Sequence, residues 1–261
     1  MSTSTTYIYI FGENATKVWG LNGRERLQRM LSTSEQVTLI ENTKEIPPND
    51  LVLFLSANHL FDNRVLTALI EKNEKMTFYS SENNPAAVRI NGLQALALLK
   101  ELASPGKAYD KHTLSALPLI RLKVLNIDFQ QSLKKKDPPF VLPITPENSK
   151  LLEQELFSGS YKGVTDLVTK WAWPLPAYWS THFCVRHGWQ PNHVTYLSVV
   201  FAVLAGVAFW YGYFFIGLLA GWFMTFLDTV DGKLARVTVT SSKFGDVLDH
   251  GLDIVHPPFW Y

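Results

Sequence analysis

The sequence predicts a two-part chain: an N-terminal α/β layered domain with a mainly parallel sheet, then an all-helical transmembrane region. Three observations predict it. The first half alternates short β-branched or aromatic runs with amphipathic stretches, the pattern of strands and helices layered on one sheet. From His187 to Leu227 there is no Asp, Glu, Lys or Arg; this is about 40 residues, and one helical span needs about 20. Four aspartates, Asp228, Asp231, Asp249 and Asp253, follow directly. Ionised carboxylates at a membrane border are costly and usually mark a functional site.

In chain order, Tyr7–Phe11, Val37–Glu41, Leu51–Ser56 and Met76–Tyr79 suit buried strands. Arg24–Leu31, Leu60–Lys72 and Leu93–Leu102 suit amphipathic helices, with Pro47-Pro48 and Asn83-Asn84-Pro85 as breakers between units. Lys134-Lys135-Lys136-Asp137-Pro138-Pro139 reads as a solvated linker, and Glu147–Phe157 as a helix. Trp171, Trp173, Tyr178 and Trp179, interrupted by Pro174 and Pro176, read as an amphipathic segment lying at the membrane interface. The divisions expected are 1–145 for the α/β domain, 146–190 for juxtamembrane helices and 191–261 for the membrane domain.

The uncharged stretch divides near Tyr211-Gly212-Tyr213 into a helical hairpin, which places its two ends on one side. Lys170 and Arg186 flank its entrance, and Lys233, Arg236 and Lys243 its exit. The positive-inside tendency then puts the N-terminal domain and the aspartates in the cytoplasm, in a bacterial-type inner membrane. The competing reading of the stretch is a hairpin buried in a soluble protein.

Composition sets further bounds. A formal net charge of +1 gives no global attraction to nucleic acid. Cys184 is the only cysteine, so an internal disulfide framework is excluded. The N-terminus lacks a basic segment followed by a long apolar core, so no signal peptide is expected.

The chemistry concentrates in Asp228-x-x-Asp231-Gly232-x-x-Ala235-Arg236-x₈-Gly245-x₃-Asp249-x₃-Asp253. Asp228 and Asp231 share one helix face, and Asp249 and Asp253 another, so two antiparallel helices could turn two carboxylate pairs toward each other. Four such carboxylates need a counter-charge. Oxygen-only ligands favour Mg²⁺, Mn²⁺ or Ca²⁺ over zinc. Gly232 and Ala235 clear the surface beside the carboxylates, and Arg236 offers a planar fork for phosphate oxygens. Together these describe a site that handles a diphosphate. The bland alternative, ordinary charges of a loop between spans, does not account for eight fixed positions.

This pattern resembles the signature of the CDP-alcohol phosphotransferases, which join an alcohol phosphate to an acceptor hydroxyl and release CMP. The resemblance implies Asp228, Asp231 and Asp249 as ligands of Mg²⁺ or Mn²⁺, and Asp253 as the base for the acceptor hydroxyl. It implies Gly232, Ala235, Arg236 and Gly245 as the lining of the cytidine diphosphate pocket. Pro191-Asn192-His193-Val194-Thr195 resembles the opening of the family's first span, with Asn192 and Thr195 near the nucleotide; Asn192 as a helix cap is the alternative. Lys162, Thr165 and Asp166 resemble its pre-span segment, with Lys162 as an interfacial anchor the alternative. His250 and His256 match no signature position.

The implied partners are a CDP-alcohol donor, a lipid or polyol phosphate acceptor, the bilayer and, as a candidate assembly, a second copy in a homodimer; phospholipid biosynthesis is the implied setting. Family members have about six spans, so Tyr261 falls within the third, and the chain is expected to hold the front half of a membrane domain. The α/β domain resembles the nucleotidyltransferase-like domains fused to such enzymes. Its loop Gly12-Glu13-Asn14-Ala15-Thr16-Lys17 keeps one Gly and Lys17 of their phosphate loop, which favours a degenerate, non-catalytic domain, with an active cytidylyltransferase as the alternative. Two other readings stay open: a prenyltransferase-type diphosphate enzyme, and a non-catalytic membrane-anchored fragment.

Overall fold

The computed structural model describes residues 6–34, 36–81, 84–95, 117–120, 138–160 and 172–240. The chain divides into two compact units, Met1–Leu152 and Glu153–Tyr261.

The first unit is built on β1 (Thr6–Phe11), β2 (Val37–Ile40) and β3 (Leu51–Ser56), with helix α1 (Gly23–Leu31) between β1 and β2. Strand β4 (His59–Phe61), helix α2 (Asn63–Glu71), β5 (Met76–Ser81), β6 (Asn84–Asn91), β7 (Leu119–Ile120) and β8 (Val141–Pro143) follow. Six strands form one sheet in the order β2-β1-β3-β6-β5-β7, and β4 pairs with β8 in a second. β3 lies inside the sheet, and its run Val52-Leu53-Phe54-Leu55 is buried throughout, as a strand covered on both faces requires. Ile8, Ile10, Leu53 and Leu55 pack with Leu27, Leu31, Val65, Leu66 and Leu69 of the two helices. Phe11, Val52, Phe54, Val88 and Ile90 form the other core layer.

The expected sheet was mainly parallel; the observed one is mixed. β1 pairs parallel with β2 and β3, and β5 with β7, whereas β6 runs antiparallel to both β3 and β5. Of Asn83-Asn84-Pro85, read as a break between units, Asn84 and Pro85 instead open β6, which pairs antiparallel with β5; Asn83 lies outside the described residues. Strand β6 was missed because Asn84-Pro85 opens it and Arg89 interrupts its apolar run. Arg89 is buried, and its guanidinium donates to the Leu69 and Ile70 carbonyls at 3.0 and 3.1 Å and to the Asn73 Oδ1 at 3.1 Å. It thereby completes the C-terminal turn of α2, where carbonyls lack helical partners. The helix expected from Leu60 begins at Asn63, capped by the Asp62 side chain, because Leu60 is spent in β4. The helix expected at Leu93–Leu102 lies mostly outside the described residues.

In the second unit, α3 (Ser149–Gly159) precedes α4 (Pro174–Arg186), α5 (Pro191–Trp210) and α6 (Phe214–Val237). Pro174 and Pro176 do not break the aromatic segment: they open α4, in the first turn where a missing N–H costs no hydrogen bond. Small residues Ala177, Thr181 and Cys184 form its buried face, and Leu175, Trp179 and Phe183 form an exposed apolar stripe. The Phe157 and Tyr178 rings meet edge to face at 5.2 Å, tying α4 to the end of α3.

Helices α5 and α6 are long and apolar enough to cross a membrane. They turn at Tyr211-Gly212-Tyr213, where the sequence placed the turn. The faces they turn toward each other are small: Ser198, Ala205 and Ala208 on α5, Gly217, Ala220 and Gly221 on α6. At Gly217 a Cβ would lie 2.4 Å from the Phe209 ring, so only glycine permits that approach. The large residues face outward: Trp210 is 87% exposed, Phe215 74% and Leu218 66%. These exposed apolar side chains favour a membrane protein over a hairpin buried in a soluble one.

Candidate functional site

The buried stripe of α6 runs Gly217, Ala220, Met224, Asp231 and Leu234. Its spacing carries the packing face of the hairpin beyond the uncharged stretch and delivers Asp231 to the helix–helix contact. Asp231 is accordingly only 7% exposed. The antiparallel partner brings the first turn of α5 to the same level, and the Thr195 hydroxyl donates to the Asp231 Oδ2 at 2.7 Å. Thr195 also lies 3.2 Å from the Pro191 carbonyl, which holds it against its own helix. The two residues are 36 positions apart in sequence.

Asp228, Gly232 and Ala235 form the neighbouring stripe of α6, each half-buried. Among the described residues, a Cβ on Gly232 would meet only Arg236 Nη2, at 4.0 Å. Among the described residues, nothing else fills the place of the missing side chain. Arg236 bends back along the helix, with Nη1 donating to the Ser160 carbonyl at 2.7 Å. Lys233, only 3% exposed, donates to the Ser160 hydroxyl at 3.1 Å, and its ammonium sits 4.5 Å from the Phe157 ring centroid.

The structure thus brings Asp228, Asp231, Gly232, Ala235, Arg236 and Thr195 together at one end of the hairpin. Asn192 lies in the first turn of α5, exposed; the helix N-cap is Gln190, so the capping role considered for Asn192 falls to its neighbour. Gly245, Asp249 and Asp253 lie outside the described residues, as do Lys162, Thr165, Asp166, His250 and His256. Among the described residues no group of three His, Cys, Asp or Glu side chains converges. The two described carboxylates of the three expected at the metal, three residues apart with one braced by a hydroxyl, fit a hard divalent cation. Ser160 was not singled out from sequence, and Lys233 only as a charge flanking the hairpin exit, because a serine ending a helix and one lysine in a polar segment carry no spacing signal.

In the first unit, the loop after β1 is closed on its own chain. Asn14 Nδ2 donates to the Ile144 carbonyl at 2.9 Å, and the Thr16 N–H donates to Asn14 Oδ1 at 2.9 Å. Lys17 is exposed.

Residues 189–257 match the model of the family described as CDP-alcohol phosphatidyltransferase, a range that includes every signature position from Asp228 to Asp253. The chain is 30% identical over 131 residues to cholinephosphotransferase 1 of Gallus gallus, covering 46% of this chain and 38% of that protein. It is 29% identical over 129 residues to cholinephosphotransferase 1 of Danio rerio, covering 45% and 32%. It is 39% identical over 75 residues to the phosphatidylinositol phosphate synthase of Streptomyces avermitilis, covering 28% and 30%. The matched stretches thus span about a third of the length of these relatives. Residues 189–257, which hold the hairpin and its row of aspartates, are thus the part of the chain that matches the CDP-alcohol phosphatidyltransferase family model.

Proposed function

We propose that this protein transfers the phospho-alcohol group of a CDP-alcohol to an acceptor hydroxyl with release of CMP, in phospholipid or related phosphodiester synthesis. The observation that carries the reading is the end of the hairpin: a braced Asp231, Asp228 beside it, and space over Gly232 among the described residues, within a complete family signature. Relatives named for cholinephosphate transfer and for phosphatidylinositol phosphate synthesis support the same chemistry.

In this reading the acceptor oxygen attacks the phosphorus that bears the alcohol. The bond from that phosphorus to the CMP oxygen breaks, and CMP leaves with the bonding electrons. Asp253 takes the acceptor proton, a role suited to a carboxylate within reach of a hydroxyl. Gly232, Ala235 and Gly245 admit the nucleotide close to the backbone, and Arg236 offsets charge on the diphosphate. Asn192 and Thr195 stand at the nucleotide end. Asp228, Asp231 and Asp249 would hold Mg²⁺ or Mn²⁺, which when bound neutralises phosphoryl charge and steadies the leaving group. The N-terminal unit is a degenerate, non-catalytic nucleotidyltransferase-like domain; the Thr16 N–H, turned to Asn14, supports this. The site and that unit face the cytoplasm, in a bacterial-type inner membrane, and the homodimer stays a candidate.

The test is CDP-alcohol labelled in the cytidine, offered with Mg²⁺ or Mn²⁺ and a panel of lipid and polyol-phosphate acceptors. Labelled CMP is expected; pyrophosphate from a prenyl donor would point to the prenyltransferase reading, and binding without turnover to a non-catalytic protein. Asp253→Asn should keep nucleotide binding while cutting transfer at least a hundredfold, about the share a general base contributes. Asp231→Asn should weaken metal-dependent nucleotide binding.

A further inference from the structure

Ser160 lies 68 residues before Asp228 in the sequence and belongs to no signature position, yet two cations of the signature helix close on it. Its hydroxyl donates to the Phe157 carbonyl at 2.5 Å and accepts from Lys233 Nζ at 3.1 Å, while its carbonyl accepts from Arg236 Nη1 at 2.7 Å. Every polar atom named here has a defined role, and Ser160 is itself only 7% exposed. The arrangement has an electrostatic logic. Lys233 and Arg236 are three apart on α6 and project to one side, where two like charges repel. The C-terminal end of α3, with outward carbonyls and the negative pole of its dipole, offsets that repulsion. Phe157 adds the face of an aromatic ring beneath the ammonium.

The consequence falls on the guanidinium. With Nη1 fixed on Ser160, Nη2 is held 4.0 Å from the point where a Gly232 Cβ would stand. One prong of the fork is spent on the chain, and the other is held beside the space over Gly232 before any ligand arrives. Cationic donors fixed in advance cost no ordering when an anion binds.

Resting on the transferase reading above, we propose that Ser160 is a positioning residue for the donor's diphosphate: its hydroxyl holds Lys233, while Arg236 rests on its backbone carbonyl, which every variant at this position keeps. The clamp acts on the second phosphate, so it governs discrimination of CDP from CMP rather than cytidine recognition. The signature thus has a further member, supplied by the helix that precedes the membrane hairpin.

Equilibrium binding of CDP and of CMP to the full chain in lipid nanodiscs, each with Mn²⁺, tests this. In Ser160→Ala, CDP affinity should fall roughly tenfold, the scale of a lost hydrogen bond to a charged group, with CMP affinity nearly unchanged. Ser160→Thr, which keeps the hydroxyl, should retain the discrimination, and this variant stays informative if Ser160→Ala folds poorly. Lys233→Met should match Ser160→Ala, and the double variant should be no worse than Lys233→Met alone. Equal losses for CDP and CMP, or additive losses in the double variant, would overturn the clamp while leaving the transferase reading intact. A parent chain that binds neither nucleotide with Mn²⁺ overturns that reading, and the clamp with it.

Discussion

Thr195 shows what one hydroxyl does at this site. Its hydrogen bond to Asp231 braces the carboxylate from the facing helix. Outer partners of this kind commonly change metal affinity by about 10- to 100-fold. Thr195→Val keeps the shape and removes the donor. It should raise the Mn²⁺ concentration needed for half-maximal nucleotide binding about tenfold, with Thr195→Ser close to the parent. An unchanged Mn²⁺ requirement in Thr195→Val would remove the residue from the site. The sequence had placed Thr195 near the nucleotide; its contact with Asp231 is a fact of packing, since 36 residues separate the two.

At the scale of the element, the strand pair β4–β8 carries an unusual load. His59 sits on β4 opposite Pro143, is buried, and neither ring nitrogen has a hydrogen-bond partner among the described residues. Burial holds its pKa down, from 6.5 to about 4. The sign follows from linkage. Below about pH 6.5 the unfolded chain binds a proton at this ring that the folded strand refuses, so the ring's contribution is complete above that pH and is lost as pH falls toward about 4. The loss by pH 4 is about 3 kcal/mol. The urea midpoint of the N-terminal unit, followed by pulse proteolysis of the full chain, should therefore drop between pH 6.5 and 4. His59→Phe should flatten that drop; a slope equal to the parent's would show that other groups carry it. Strand β4 leaves no mark in the sequence, because three residues, one of them histidine, fall below the length at which alternation can be read. Strand β6 was hidden for a related reason: Arg89 reads as a surface charge until the C-terminal carbonyls of α2 are seen to surround it.

For the molecule as a whole, the hairpin decides where the chemistry can happen. Both ends of two antiparallel spans must emerge on one side, so the residues that follow α6 share a compartment with those that precede α5. In a chain with Cys184→Ala, Tyr213→Cys and Thr240→Cys should react with an impermeant thiol reagent from opposite sides of sealed vesicles, with position 240 on the cytoplasmic side. Labelling of both from one side would remove the spanning hairpin, whatever the outcome at the site.

Much of this was open to reading from the chain alone, and the reason is physical. A bilayer imposes a length and forbids charge, so the span from His187 to Leu227 and its turn at Tyr211-Gly212-Tyr213 are written as composition. The family signature is a set of residue types at helical spacing, so the row from Asp228 to Arg236 is written as a motif, and the metal and diphosphate roles proposed for it are for experiment to test. Such local rules need no knowledge of neighbours. The direction of β6, the burial of His59 and Arg89, the grip of Thr195 on Asp231 and the meeting of Lys233 and Arg236 on Ser160 obey no local rule. They depend on which surfaces meet when the chain closes, and only the tertiary structure decided them.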